Sequence, residues 1–262
     1  DTLEQKKKQA EAYAEDCEKE FKTLQEAQSL AMENASKAYQ TAGLSANEYM
    51  ETVTGFSASL LQSLGGDTEK AAEIADQAVS DMADNANKMG SDISMIQNAY
   101  QGFAKANYTM LDNLKLGYGG TQEEMKRLLK DAEAISGIKY DISSYADIVD
   151  AIHVIQTEMG ITGTTAKEAS STIQGSLGML KGAWSNLMVG LSDPEADLSA
   201  LINNVFSSVT TFAGNLVPRI SQVLSGIATA LSQLVPMITA EIPGLINQIL
   251  PPLIEGAVAL VN

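Results

Sequence analysis

The chain has 262 residues and a formal charge of −16, with 45% hydrophobic but only 5% aromatic side chains: enough for a core, too few bulky rings for a thick layered one. Its 33 acidic groups outnumber 17 basic ones, and Arg127 and Arg219 are the only arginines, which excludes a phosphate-gripping nucleic-acid surface. Cys17 is the only cysteine; an intrachain disulfide is excluded, and a reducing cytoplasm fits.

Charge is segregated along the chain. Residues 1–40 carry nine acidic and six basic groups, residues 41–197 carry 22 and 10, and residues 198–262 carry only Arg219, Glu241 and Glu255. Ala, Ser, Gly, Leu, Ile and Asn dominate and strand signals are scarce, so an elongated all-α fold is expected. Three domains are expected: a coiled-coil rod end over 1–42, a multi-helix region over 43–197, and a charge-poor helical segment over 198–262. The chain opens at Asp1 inside a helical pattern and stops at Asn262 without a helix-ending signal, so a longer parent polypeptide is expected.

Residues 1–42 read as one long helix. Leu3, Ala10, Cys17, Leu24, Ala31 and Ala38 recur every seven residues, and Lys7, Ala14, Phe21, Gln28, Ala35 and Ala42 fall four residues after each. Several beats are small or polar, so the seam is a weak zipper, and an amphipathic helix packed on its own chain explains the spacing equally well. Gly43 stops the helix, and Ser45-Ala46-Asn47-Glu48 has the spacing of a capping box, opening a second helix from about 46 to Gly65-Gly66. Asp67 or Thr68 caps the next, in which Ala71, Ile74, Ala75, Ala78, Val79 and Met82 keep helical spacing up to Gly90. Helices follow around 93–104 and 107–116. After Gly117-Tyr118-Gly119-Gly120, a second capping box, Thr121 to Glu124, opens a helix bearing Met125, Leu128, Leu129, Ala132 and Ile135.

Ser143 or Ser144 begins a helix that ends at Gly160. Residues 164–191 form another, where Gly175, Gly178 and Gly182 let a second helix or chain approach the backbone, until Asp193-Pro194 ends it. Beyond 198 an imperfect repeat appears: Leu216-Val217-Pro218, Leu234-Val235-Pro236 and Leu250-Pro251-Pro252, each proline expected to start or kink a helix of four to five turns. The uncharged runs 198–218 and 220–240 approach the roughly 20 residues that cross a bilayer, but Ser, Thr, Asn and Gln make them poor permanent spans. Burial between chains or inside a tube is the preferred reading.

Bond-making chemistry has no visible constellation. His153 is the only histidine, so no histidine pair can ligate a metal, and its place after Ile152 points to a half-buried or interface side chain. The Gly117–Gly120 loop lacks the lysine and preceding strand of a phosphate loop; it reads as a turn. Glu123 and Glu124 sit in a first helical turn, where acids complement the helix dipole. Trp184 is the only tryptophan, either an interface anchor or a core residue. No enzyme activity and no cofactor or metal are expected.

Gly43 to Met50 running on through Phe56 to Gly66, Leu114 to Thr121 with its Glu-Glu-Met helix, and Thr164 to Ala169 leading to Ile173-Gln174-Gly175-Ser176-Leu177, Lys181 to Trp184 and Leu191 to Pro194 follow one another along the chain. In that order they resemble the tape measure proteins of tailed bacteriophages and prophages of Gram-positive bacteria. The proline-punctuated leucines after 198 are similar too, and the order of the matches carries more weight than any one. The resemblance implies a long helical protein in the lumen of a tail tube, assembled in the host cytoplasm, setting tube length and leaving at ejection. It implies three copies, contacts with the tail tube protein and with distal tail or baseplate hub proteins, and contact with a host membrane at ejection. Some members carry peptidoglycan-cleaving domains, for which these residues show no counterpart. Read from the residues alone, a secreted helical effector or pore-former and a coiled-coil scaffold unrelated to phage stay open.

Overall fold

Most helices of this chain begin where a short polar side chain takes up an N–H of the first turn. A computed structural model describes the backbone of residues 2–261, and the side chains of the same residues except 234, 235, 237–242, 245, 246, 249, 250 and 253–261. All regular structure among the described residues is helical: α1 (Leu3–Thr41), α2 (Ala46–Thr54), α3 (Ser57–Ser63), α4 (Thr68–Met89), α5 (Ile93–Phe103), a 3-10 turn at Leu111–Leu114, α6 (Gln122–Ser136), α7 (Tyr145–Glu158), α8 (Thr164–Ser171), α9 (Ile173–Gly190) and α10 (Leu198–Val261). The N-caps are Ser45, Asp67, Asp92, Thr121, Ser144 and Thr172 for α2, α4, α5, α6, α7 and α9, each accepting a backbone N–H two or three residues on. Such caps contribute about 1 kcal/mol each. At α2 the box is complete, because Glu48 also accepts the Ser45 N–H at 2.8 Å.

Four expectations are corrected. The helix expected from 46 to 65 breaks at Gly55-Phe56, where Phe56 turns inward to 2% exposure and meets the edge of Tyr145 at 6.0 Å between ring centroids. The β-branched Thr52-Val53-Thr54 just before it resists this break weakly. Instead of a helix over 107–116 there is only the 3-10 turn. Asn107 accepts the Thr109 N–H at 3.1 Å, a local turn that competes with the helical ladder, and positive φ is taken by Ala106 just before that turn and by Lys115 at the C-cap of the 3-10 turn. The helix expected over 164–191 breaks at Thr172, whose extended backbone ends α8 while its hydroxyl caps α9 by accepting Gly175 N–H at 2.9 Å. Lastly, Pro218, Pro236, Pro243, Pro251 and Pro252 all lie inside one continuous helix, α10. Proline's fixed φ is itself helical, and its ring crowds only the carbonyl four residues back, which for Pro218 belongs to Gly214, so a ladder can run on through it.

The chain divides into two compact units, Asp1–Phe212 and Ala213–Asn262. The division does not follow the expected boundaries at 42/43 and 197/198, because the end of α1 and the start of α10 both pack within the first unit. There α4 is the hub, lying against α1, α2, α3, α5, α7 and α8. Ala75, Ala78, Val79 and Met82 of α4 meet Ala35 and Ala38 of α1, Leu60 of α3, Ile96, Tyr100 and Phe103 of α5, and Ile148, Val149 and Ile152 of α7 in one core, which α6 closes with Met125, Leu128 and Ala132. Alanines at the α1–α4 contact bring the backbones close, and the larger buried side chains stabilise by about 1.5–3 kcal/mol each. A smaller core joins Tyr39, Ala169, Met179 and Ala183, with Val205 of α10 packed on it. The second unit is the remainder of α10, whose described side chains from 217 onward are exposed.

Two of the three expected small-residue approaches are made by the chain itself. A Cβ on Gly175 would collide with the Glu168 carbonyl, and one on Gly182 would lie 2.8 Å from Tyr39 Cβ and 3.3 Å from the Leu44 carbonyl oxygen, whereas one on Gly178 meets nothing within 4 Å. Urea unfolding of single alanine variants should separate them. Gly175→Ala and Gly182→Ala lose about 1–3 kcal/mol from overpacking, while Gly178→Ala is neutral or gains up to about 1 kcal/mol from helix propensity.

Candidate functional site

The heptad seam of α1 splits in two. Residues 2–22 are exposed on every side, and the beats Leu3, Ala10, Cys17, Phe21 and Leu24 are all exposed, with Leu3 at 89% and Phe21 at 63%. Ala31 is half-buried, and Ala35, Ala38 and Ala42 belong to the chain's own main core. Packing on the chain's own core therefore explains the spacing only over the second part of the helix. Past the first six turns, alanine beats dock the helix on α4; before that, the same spacing presents a stripe that no described residue covers. The exposed part relies on good helix formers and on i,i+4 pairs such as Lys7–Glu11 at 3.8 Å and Lys22–Glu26 at 3.9 Å.

A second uncovered surface lies on α9 and the start of α10. Trp184 is 53% exposed, so it is not the core residue of one of its two readings, and Met188, Val189 and Leu191 are exposed with it. Leu198, Ile202, Phe206 and Val209 of α10 are exposed at spacings of four, four and three, one face of a helix. Of the repeat residues, Leu216 is half-buried and Pro218, Pro236 and Pro252 are exposed; the side chains of Leu234 and Leu250 lie outside the described residues. Among the described residues no helix is long and apolar enough to cross a membrane.

The interior holds polar chemistry that sequence reading missed. Asp81, Asp84 and Asn85 of α4 are at most 3% exposed. Asp81 meets His153 Nδ1 of α7 at 2.9 Å. Asp84 accepts the N–H groups of Gly163 at 2.6 Å and Thr165 at 2.7 Å, capping α8 from another helix because Gly163 has no side chain to do so. Asn85 donates to the Leu114 carbonyl at 3.0 Å. The signal was present: Ile74, Ala78, Asp81 and Asn85 follow i, i+4, i+7, i+11, so two polar residues sit at core beats. Tyr100 and Gln156, both fully buried, extend the polar interior at 3.4 Å.

This Asp–His pair has the contact that orients a catalytic imidazole, and it clamps α4 to α7. Asp81 holds His153 by hydrogen bond and charge, raising its pKa above the ordinary 6.5, with Asp150 and Asp84 adding to the shift. Burial drives the Asp81 carboxyl up to about 6, against the opposing pull of His153. Both groups grip their protons more tightly folded than unfolded. Their joint contribution to stability is therefore complete below about pH 4 and declines as pH rises through about 6 and on through the raised His153 midpoint.

The Gly117–Gly120 loop is tied to the first turns of α6. Glu124 accepts the Gly119 N–H at 3.0 Å, and Arg127 donates to the Gly117 carbonyl at 2.7 Å while lying 4.4 Å from the Tyr118 ring centroid. The second capping box is corrected accordingly: Thr121 caps Glu124, but the Glu124 carboxylate turns to the loop and to Arg127 instead of back to Thr121. Gly120 packs on the Thr109 carbonyl so closely that a Cβ would not fit.

No family model matches the chain, and no curated protein or solved structure matches it either.

Because His153 is the only histidine, its ring-proton NMR titration is unambiguous. The midpoint should lie above 6.5 in the native chain and fall in Asp81→Asn, and the stability difference between the two proteins should narrow as pH rises from 4 to 8. An unchanged midpoint would remove Asp81 as the cause. On α1, Phe21→Asp and Leu24→Asp should leave the unfolding free energy of the first unit, measured in urea, within about 0.5 kcal/mol of native, whereas Ala38→Asp, at a fully buried beat, should cost more than about 3 kcal/mol.

Proposed function

We propose that this chain is a segment of a tail tape measure protein, a structural component that acts by length and burial in the lumen of a phage tail tube and makes no bonds. The order of elements along the chain carries this reading. A charged helix with an uncovered heptad stripe leads into a helical unit held by its own core, and a nearly uncharged helix with exposed apolar residues follows. Motifs in that same order are what resembles the family, and they fall on α2–α3, on the 3-10 turn and start of α6, and on α8–α9.

Each surface has a part in the reading. The stripe Leu3, Ala10, Cys17, Phe21 and Leu24 joins copies of the chain in a threefold rod. The acidic exterior keeps passing DNA from adhering to the lumen contents. Trp184 and its apolar neighbours dock on the tail tube protein or on hub proteins of the distal tail. The charge-poor α10 stays covered until ejection, when it meets the host membrane.

The test is a length measurement. In the full gene, two additional in-frame copies of residues 1–21 keep heptad phase and add 42 residues, about 63 Å at about 1.5 Å per residue. Electron micrographs should show tails longer by roughly that amount. Tails of native length would refute a ruler role for α1, and release of dye from liposomes by the isolated chain would favour a pore-former instead.

A further inference from the structure

The connector from α6 to α7 carries the pattern of a strand in a chain whose described regular structure is all helical. Its sequence, Gly137-Ile138-Lys139-Tyr140-Asp141-Ile142, alternates apolar and charged residues, and residues 137–141 form neither helix nor turn. Exposure alternates too: Lys139 and Asp141 are exposed while Tyr140 and Ile142 are half-buried, the two-residue period of extended chain. The segment is pinned in place. The Tyr140 hydroxyl donates to Asp150 of α7 at 2.9 Å, and the Ile142 carbonyl accepts the Tyr108 hydroxyl at 3.2 Å.

The backbone is occupied along one edge only. In extended chain the N–H and C=O of every second residue point to the same side. Asp141, on one edge, gives its N–H to the Asp147 carboxylate at 2.8 Å, and its carbonyl accepts the Ser144 N–H at 2.9 Å. On the opposite edge the Ile138 carbonyl, both main-chain groups of Tyr140 and the Ile142 N–H meet no partner among the described residues. Open groups in this register are the template on which another strand is added.

Tyr140 and Ile142, which bear the open edge, also line a groove of about 320 Å³ against α6. Leu129 contributes apolar surface to it, and Lys126, Lys130 and Glu133 line it at spacings of four and three, one face of the helix. We propose that this edge and groove take an extended acidic peptide segment of a partner protein by strand addition, its main chain pairing with Ile138, Tyr140 and Ile142 and its carboxylates meeting Lys126 and Lys130.

Charge selects the acidic partner. No described carboxylate lies within ion-pair distance of Lys126, Lys130 or Lys139, whereas neighbouring Arg127 is held by Glu124. The Asp141 carboxylate already accepts the Ser143 N–H at 2.8 Å, so the open charges bordering the groove are three lysines against Glu133. The chain's net −16 does not cancel this local excess, because physiological salt screens charges lying beyond about 8 Å and an ion pair forms at contact.

The assignment rests on the α6–α7 connector and stands or falls separately from the tape-measure reading. The test is amide NMR of the full chain titrated at pH 7 with a seven-residue peptide alternating valine and glutamate, and with its counterpart alternating valine and lysine. The glutamate peptide should shift the Tyr140 and Ile142 amides, slow their hydrogen exchange and bind with Kd near or below about 1 mM, and the lysine peptide should bind at least roughly tenfold more weakly. Lys126→Glu with Lys130→Glu should weaken the glutamate peptide by at least roughly tenfold, whereas Lys167→Glu with Lys181→Glu, the same charge change at exposed sites on α8 and α9, should stay within about twofold. Equal thermal unfolding of the two variants verifies that the fold is intact. Unmoved Tyr140 and Ile142 amides, equal binding of both peptides, or equal weakening by both lysine pairs would each overturn the proposal. Movement of the same amides on concentrating the chain without peptide would overturn it as well, by giving the groove to a second copy.

Discussion

Three buried polar side chains on α4 determine where the neighbouring elements sit. Apolar burial drives collapse but is nearly directionless, and the Ala–Val–Met stripe of α4 would accept several arrangements of partners. Asp81, Asp84 and Asn85 would not, because each loses several kcal/mol of hydration unless a specific partner arrives. Asp81 requires His153 and so places α7; Asp84 requires the open N–H groups of Gly163 and Thr165 and so places α8; Asn85 requires the Leu114 carbonyl and so places the 3-10 turn.

The consequences reach the surface. Once Asp84 holds the start of α8, the extended Thr172 and the missing Cβ of Gly175 turn the chain sharply back into α9. Gly182 then seats α9 on Tyr39 and Leu44, and with that face spent, Trp184 is left outward. The exposure of the lone tryptophan is thus the end of a chain of constraints that starts with a buried carboxylate. Rigidity here serves presentation: the polar interior fixes a scaffold, and the uncovered side chains lie on its helices.

Two helices with exposed apolar residues flank that scaffold in sequence. The stripe of α1 lies among charged residues, nine acidic and six basic over residues 1–40, whereas residues 198–262 of the chain carry only Arg219, Glu241 and Glu255. Salt screens the first surroundings far more than the second. That difference gives physical content to the charge segregation seen along the sequence.

The sequence alone determined the all-α character and most helix ends. A cap such as Ser45, Asp67 or Ser144 acts on an N–H three residues away, and a glycine such as Gly43 or Gly90 ends a helix through its own φ, so both effects are complete within a few residues of chain. Only the tertiary structure decided the breaks at Phe56 and Thr172, the point along α1 where the seam leaves solvent for the core, and the pairing of Asp81 with His153 across 72 residues. Each depends on what another segment offers: a pocket for a ring, an α4 face for three alanines, an imidazole for a carboxylate. Heptad spacing is the same whether the covering surface comes from the chain or from a copy of it, which is why spacing could not divide α1 and burial did.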